Sequence, residues 1–210
     1  GLYQSYITVY IVLVMIYTVM QIEYEAELKI IVQFILRALA LTIIAAIVYY
    51  ITSHVVCRIY SISMSSGYNG IANVFDFSQF SVISLVIATY KDFFNRYFSA
   101  NSGMSLICVI SNLVLLVLVI YNCIIVLKKY CNSRLKKLLL VFVFLVFPFA
   151  TNAIYFISKG FAYENMQYAL CIVYIICFIP KQITQKRSLV TCLCVFAIVI
   201  NNIFFSNQVY

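Results

Sequence analysis

The sequence predicts an all-α protein, a polytopic transmembrane bundle of about six spanning helices plus one interfacial or re-entrant helix. Three observations predict it. Of 210 residues, 65% are hydrophobic and only 10% charged, and the mean hydropathy is +1.05; soluble domains carry about 25% charged residues. The apolar residues come in continuous runs of membrane length, not in the alternating pattern of barrel strands. Most of the basic residues lie in short intervals between those runs.

The elements follow in order. A first helix is expected over 2–20, with Tyr3, Tyr6, Tyr10 and Tyr17 at helical spacing on one stripe. The acidic loop 21–29 leads to a second helix over 30–51 that contains Arg37. The interval 52–103 is the one long polar stretch, and it is read as an outer loop of a single membrane domain covering 1–210. Within it, 78–90 is moderately apolar but short for a span, which suits an interfacial or re-entrant helix. Third and fourth helices are expected over 104–127 and 138–157, the latter containing Pro148. A fifth over 164–180 and a sixth over 188–205 complete the set.

Charge sets the expected orientation. Lys128, Lys129, Arg134, Lys136 and Lys137 fill one loop, and Lys181, Lys186 and Arg187 another. The positive-inside rule makes both cytoplasmic. The interval 52–103, loop 158–163 and both chain ends then lie outside. If 78–90 spanned the bilayer instead, the first two helices would invert. The net charge of +8 is thus topogenic, and nucleic acid is not an expected partner. The eight cysteines lie mostly in apolar runs without metal-ligand spacing, so neither a disulfide framework nor a zinc site is expected. Tryptophan is absent; tyrosines near helix ends serve as interfacial anchors. The chain opens at Gly1 without methionine or a signal-peptide layout, so a segment of a longer protein is expected.

The residues with chemistry converge on the outer side. His54 and Arg58, four apart, face the same way if the second helix continues to Tyr60. Two such groups suit a phosphate, or equally snorkel to lipid headgroups. The turn Tyr68-Asn69-Gly70 offers backbone N–H groups and a stacking face, but it also reads as a plain surface turn. Asp76 suits a helix cap as well as a substrate contact. Pro148 frees the carbonyl of Phe144, and Asn152, Tyr155 and Lys159 then share a face. A membrane asparagine either glues helices or lines a polar cavity. Glu164, Gln167 and Tyr168 repeat the pattern at the next helix start. Gln4 and Tyr6 occupy the outer end of the first helix.

Several segments together resemble one family. These are Gly1-Leu2-Tyr3-Gln4-Ser5-Tyr6, Tyr68-Asn69-Gly70, the run from Pro148 through Asn152 to Tyr155, Met166-Gln167-Tyr168 and the terminal Asn207-Gln208-Val209-Tyr210. The chain resembles the GtrII-type membrane glucosyltransferases, which are similar to the GT-C class. The resemblance implies a multi-pass enzyme of the bacterial inner membrane with its active face extracytoplasmic. It implies a polyprenyl-phosphate-glucose donor, and a surface polysaccharide such as O-antigen as acceptor. It also implies a catalytic carboxylate in the first outer loop, expected upstream of Gly1. Within the chain, Asp76 and Glu164 are the candidate bases, with Asp92 a third outer carboxylate. Gln4, Tyr6, His54, Arg58, Tyr68, Asn69, Asn152, Tyr155 and Gln167 are the candidate binding residues. A divalent metal is compatible with this chemistry and not demanded by it.

A transporter or flippase for a lipid-linked or small polar substrate is the alternative, with Arg37 and the broken fourth helix lining its path. It should show repeat symmetry and midplane polar residues in several helices, whereas here the polar groups gather at one face. An O-antigen polymerase would share the outer site. The enzyme reading expects His54→Ala and Arg58→Ala each to abolish glucose transfer from polyprenyl-phosphate-glucose in membranes. Full activity in both variants removes the pair from the site.

Overall fold

The computed structural model describes residues 2–61, 81–99, 105–129, 131, 133–160, 168–178 and 185–208. Every regular element among them is helical: α1 (Leu2–Glu23), α2 (Leu28–Ile59), α3 (Val82–Phe98), α4 (Leu106–Lys129), α5 (Arg134–Thr151), α6 (Ala153–Ile157), α7 (Tyr168–Ile172), a 3₁₀ segment (Val173–Phe178) and α8 (Gln185–Gln208).

Local chemistry sets the helix ends. Ser81 caps α3 by accepting from the Ser84 N–H, and Ser133 caps α5 by accepting from the Lys136 N–H. α6 ends in a left-handed pair, Lys159 (φ 54°) and Gly160 (φ 94°). The Gly160 N–H there reaches back to the Tyr155 carbonyl at 2.9 Å.

Among the described residues three helices are long and apolar enough to cross a membrane: Tyr6–Glu23 within α1, Leu28–Ile59 and Leu106–Lys129. Several boundaries differ from the sequence expectation. α2 continues beyond residue 51 to Ile59, with Tyr60 as its C-cap. The interval 52–103 therefore contains the last turns of α2 and all of α3. The expected interfacial helix over 78–90 is instead α3, shifted toward the C-terminus and starting at its Ser81 cap. It has 17 residues and carries Lys91, Asp92 and Arg96, so it is not among the three apolar spans. The expected fourth helix breaks at Asn152, four residues after Pro148. In the fifth, α7 tightens into the 3₁₀ segment after one turn.

Two apolar clusters are stacked along the bundle. One joins Val19 and Ile22 of α1, Ile31 of α2, Val126 of α4, and Leu140 and Val143 of α5. These positions are the end of α1, the start of α2, the end of α4 and the start of α5, so that end carries the basic residues 128–137. The other cluster joins Val12, Leu115, Phe147, Ala169, Cys177 and Ile198. α3 packs across α4, α5 and α6, toward the opposite end. Its buried residues Leu85, Thr89, Phe93 and Tyr97 recur every fourth position and form one stripe. α2 leans on α1 and buries only Ile31 and Ala38. Most of its other apolar side chains are exposed, as suits a helix facing lipid.

Packing at the basic end should be sensitive to truncation. Leu140, with 0% exposure, should lose about 2–5 kcal/mol of stability on change to alanine. Leu138→Ala, on the exposed side of the same helix, should stay within about 0.5 kcal/mol. Thermal unfolding in detergent reads both; equal losses would mean Leu140 is not a core contact.

Candidate active site

The end of the bundle away from the basic residues holds a polar network built on α3. The break at Asn152 makes it possible. Pro148 lacks an N–H, so the helix ladder loosens there. The Thr151 hydroxyl donates back to the carbonyls of Phe147 (3.1 Å) and Pro148 (2.9 Å). The Tyr90 hydroxyl donates across to the Leu145 carbonyl at 2.9 Å. Asn152 then ends α5 with its side chain fully buried against α3.

The Asn152 amide donates to the Thr89 carbonyl at 3.1 Å and to Asp92 Oδ2 at 3.0 Å. Arg96 Nε donates to the same Oδ2 at 2.7 Å, one turn along α3. The amide can only point this way. Reversed, its oxygen would face a carbonyl and a carboxylate, neither of which can donate. Asn152 Oδ1 is buried and accepts no hydrogen bond among the described residues. Both of these bonds to Asp92 fall on Oδ2, and its side chain keeps 21% exposure, with Arg96 at 30%. A buried acceptor, a reachable carboxylate and a guanidinium thus converge. They suit a ligand with hydroxyl groups and an anionic group.

Further bonds hold α3 in place. Asn112 of α4 donates to the Tyr97 carbonyl at 2.8 Å and accepts from the Tyr174 hydroxyl at 3.1 Å. The Tyr97 hydroxyl donates to the Leu170 carbonyl at 2.6 Å. The helix is therefore tied to α4, α5, α7 and the 3₁₀ segment at once.

The expected site residues divide. Asn152 is central, and Tyr155 is half-buried one turn on in α6. His54 and Arg58 do lie on α2, but in its exposed last turns. His54 pairs with the Tyr50 hydroxyl at 3.0 Å, its ring edge-on to the tyrosine, rather than with Arg58. No hydrogen bond among the described residues links them to Asp92. Tyr6 is exposed on α1, and Arg37 is exposed on α2. Tyr68, Asn69, Asp76, Glu164 and Gln167 lie outside the described residues, as does the side chain of Gln4. Spacing in the sequence does not pair Asp92 and Arg96 with Asn152, and it does not single out Asn112, Tyr97 and Tyr174. Two signals could have found them: an acid and a base four apart in a helical stripe, and an amide inside a membrane-length run. Among the described residues no three His, Cys, Asp or Glu side chains form a metal-binding group. Cys131, in the α4–α5 connection, is buried, and burial pushes its thiol up while Lys136 and Lys137 partly offset this.

Apolar helices of spanning length and a polar cluster at one end of the bundle point to a membrane-associated helical protein. The chain belongs to the GtrII glucosyl transferase family: the family model described as Glucosyl transferase GtrII matches residues 1–175. Membership implies glucosyltransferase activity. No curated protein and no solved structure gives a significant match.

The network ranks its own members. Asn152→Ala removes a buried amide with two partners and should cost about 1–3 kcal/mol. Arg96→Ala, breaking a partly exposed ion pair, should cost under about 1 kcal/mol. Thermal unfolding of both variants in detergent checks the order, and the reverse order would dissolve this account of the cluster.

Proposed function

We propose that the protein transfers glucose from a polyprenyl-phosphate donor to a bacterial surface glycan, at the extracytoplasmic face of the inner membrane. The Asp92–Arg96–Asn152 cluster, at the end of the bundle away from the basic residues, carries this reading. Family membership supplies the glucosyl group. The positive-inside rule would put the basic residues in the cytoplasm and the cluster outside. The chain then crosses the membrane several times and belongs with enzymes of GT-C type.

The chemistry needs three groups. An acceptor hydroxyl attacks the anomeric carbon of glucose while the bond from that carbon to the phosphate oxygen breaks. A carboxylate takes the hydroxyl proton, the role proposed for Asp92. A cation stabilises the charge that develops on the leaving phosphate. Arg96 is proposed there, since among the described residues only its Nε is engaged, by Asp92, which leaves its terminal nitrogens for the phosphate. Asn152 Oδ1 accepts a sugar hydroxyl. Asp76 and Glu164 are the competing bases.

His54 and Arg58 are proposed to meet the lipid phosphate on its approach. α2 has 32 residues, about 48 Å of helix, against about 30 Å of hydrocarbon. If α2 enters the bilayer at Leu28, its last turns reach the headgroup layer. Gln4, Tyr6, Tyr68, Asn69, Tyr155 and Gln167 are proposed to hold the sugars on the same side.

Asp92→Asn keeps an oxygen that can accept from both Arg96 and Asn152 but removes the proton acceptor. It should lower glucose transfer from polyprenyl-phosphate-glucose in membranes by about 100-fold or more with little change in thermal stability. Wild-type rates in this variant would remove Asp92 as the base and leave Asp76 or Glu164.

A further inference from the structure

Behind the buried stripe of α3 lies a cavity of about 320 Å³, walled by α3, α4, α5 and the 3₁₀ segment. Its walls are apolar: Phe93 and Tyr97 from α3, Leu116 and Val119 from α4, Phe144 from α5 and Val173 from the 3₁₀ segment are among them. The few polar groups are already engaged with one another or with backbone. Asn112 is held by Tyr174 and the Tyr97 carbonyl, and the Tyr97 hydroxyl by the Leu170 carbonyl. A polar ligand would find little to bind there, and hydrocarbon would. Phe94, Ile120 and Ile124 line the cavity and are also exposed on the flank of the bundle. The opening therefore faces sideways, where a membrane helix meets lipid.

The same helix carries the polar cluster. Asp92 adjoins Phe93, and Arg96 adjoins Tyr97. One face of α3 thus meets the charged groups and the next face walls the cavity. Pro148, one turn before Asn152, lines the cavity too. From this continuity we propose that the cavity seats the phosphate-proximal part of an isoprenoid chain whose phosphate lies at Arg96. The chain enters between α3 and α4 from the bilayer. α3 acts as the partition that holds the phosphate and sugar on one side and the hydrocarbon on the other. This rests on transfer from a lipid phosphate and adds where the lipid sits.

The test uses the full chain in phospholipid nanodiscs. The probe is a sugar-free polyprenyl phosphate with a diazirine on an isoprene unit near the phosphate. Irradiation should label α4 and the 3₁₀ segment, at residues such as Leu116 and Val173. Unlabelled polyprenyl phosphate should suppress the labelling, and equal phosphatidylglycerol should not. Suppression by both lipids alike, or labelling elsewhere, overturns the proposal. A second measurement fills the cavity: Val119→Trp should raise KM for a long-chain donor about tenfold relative to a single-isoprene donor. An equal effect on both donors overturns it as well. A wild-type protein that labels at the cavity but moves no glucose would instead defeat the transferase reading and leave the lipid seat standing.

Discussion

A fully buried amide in an apolar bundle must find partners, because an unsatisfied polar group costs several kcal/mol where water is excluded. Asn152 meets that constraint by reaching α3 at two points, the Thr89 carbonyl and the Asp92 carboxylate. Much else depends on it. It holds the end of α5 against α3, and it shares the carboxylate with Arg96. Its remaining oxygen is left facing no donor among the described residues. At the break that Pro148 opens, one side chain thus fixes a helix crossing and leaves a buried acceptor.

α3 is the second organising element. It is too short and too charged to read as an apolar span, yet its stripe of Leu85, Thr89, Phe93 and Tyr97 is buried. Such a helix is stable only by packing that stripe on others. It does so on α4, α5 and α6, with hydrogen bonds from Tyr90, Tyr97 and Asn112 fixing its place. Anchored in this way, a helix can hold charged groups on one face and wall an apolar cavity with another. A substrate made of a sugar, a phosphate and a hydrocarbon chain presents the same change of polarity along its length.

Basic residues and polar cluster take opposite ends of the bundle for separate reasons. Lys128, Lys129, Arg134, Lys136 and Lys137 flank the connection of two apolar helices, where positive charge sets the direction of insertion. Asp92, Arg96 and Asn152 come from elements that meet only at the other end. Among the described residues the His54–Tyr50 pair is hydrogen-bonded to neither group: it rides on the exposed last turns of α2.

The helical class, the membrane-length runs and the break near Pro148 were legible in the sequence, because apolar content, run length and a missing N–H act locally. The GtrII resemblance was legible too, through short segments spread along the chain. The pairing of Asp92 with Asn152 was not. The two residues are 60 positions apart and meet only because α3 crosses the end of α5. Nor could helical spacing show that His54 would turn to Tyr50 and stay exposed, since spacing sets a face and not its neighbour. The sequence by itself determined which segments are helices and which residues carry charge. The tertiary structure alone decided which charges share a site, because that follows from packing between helices distant in the chain.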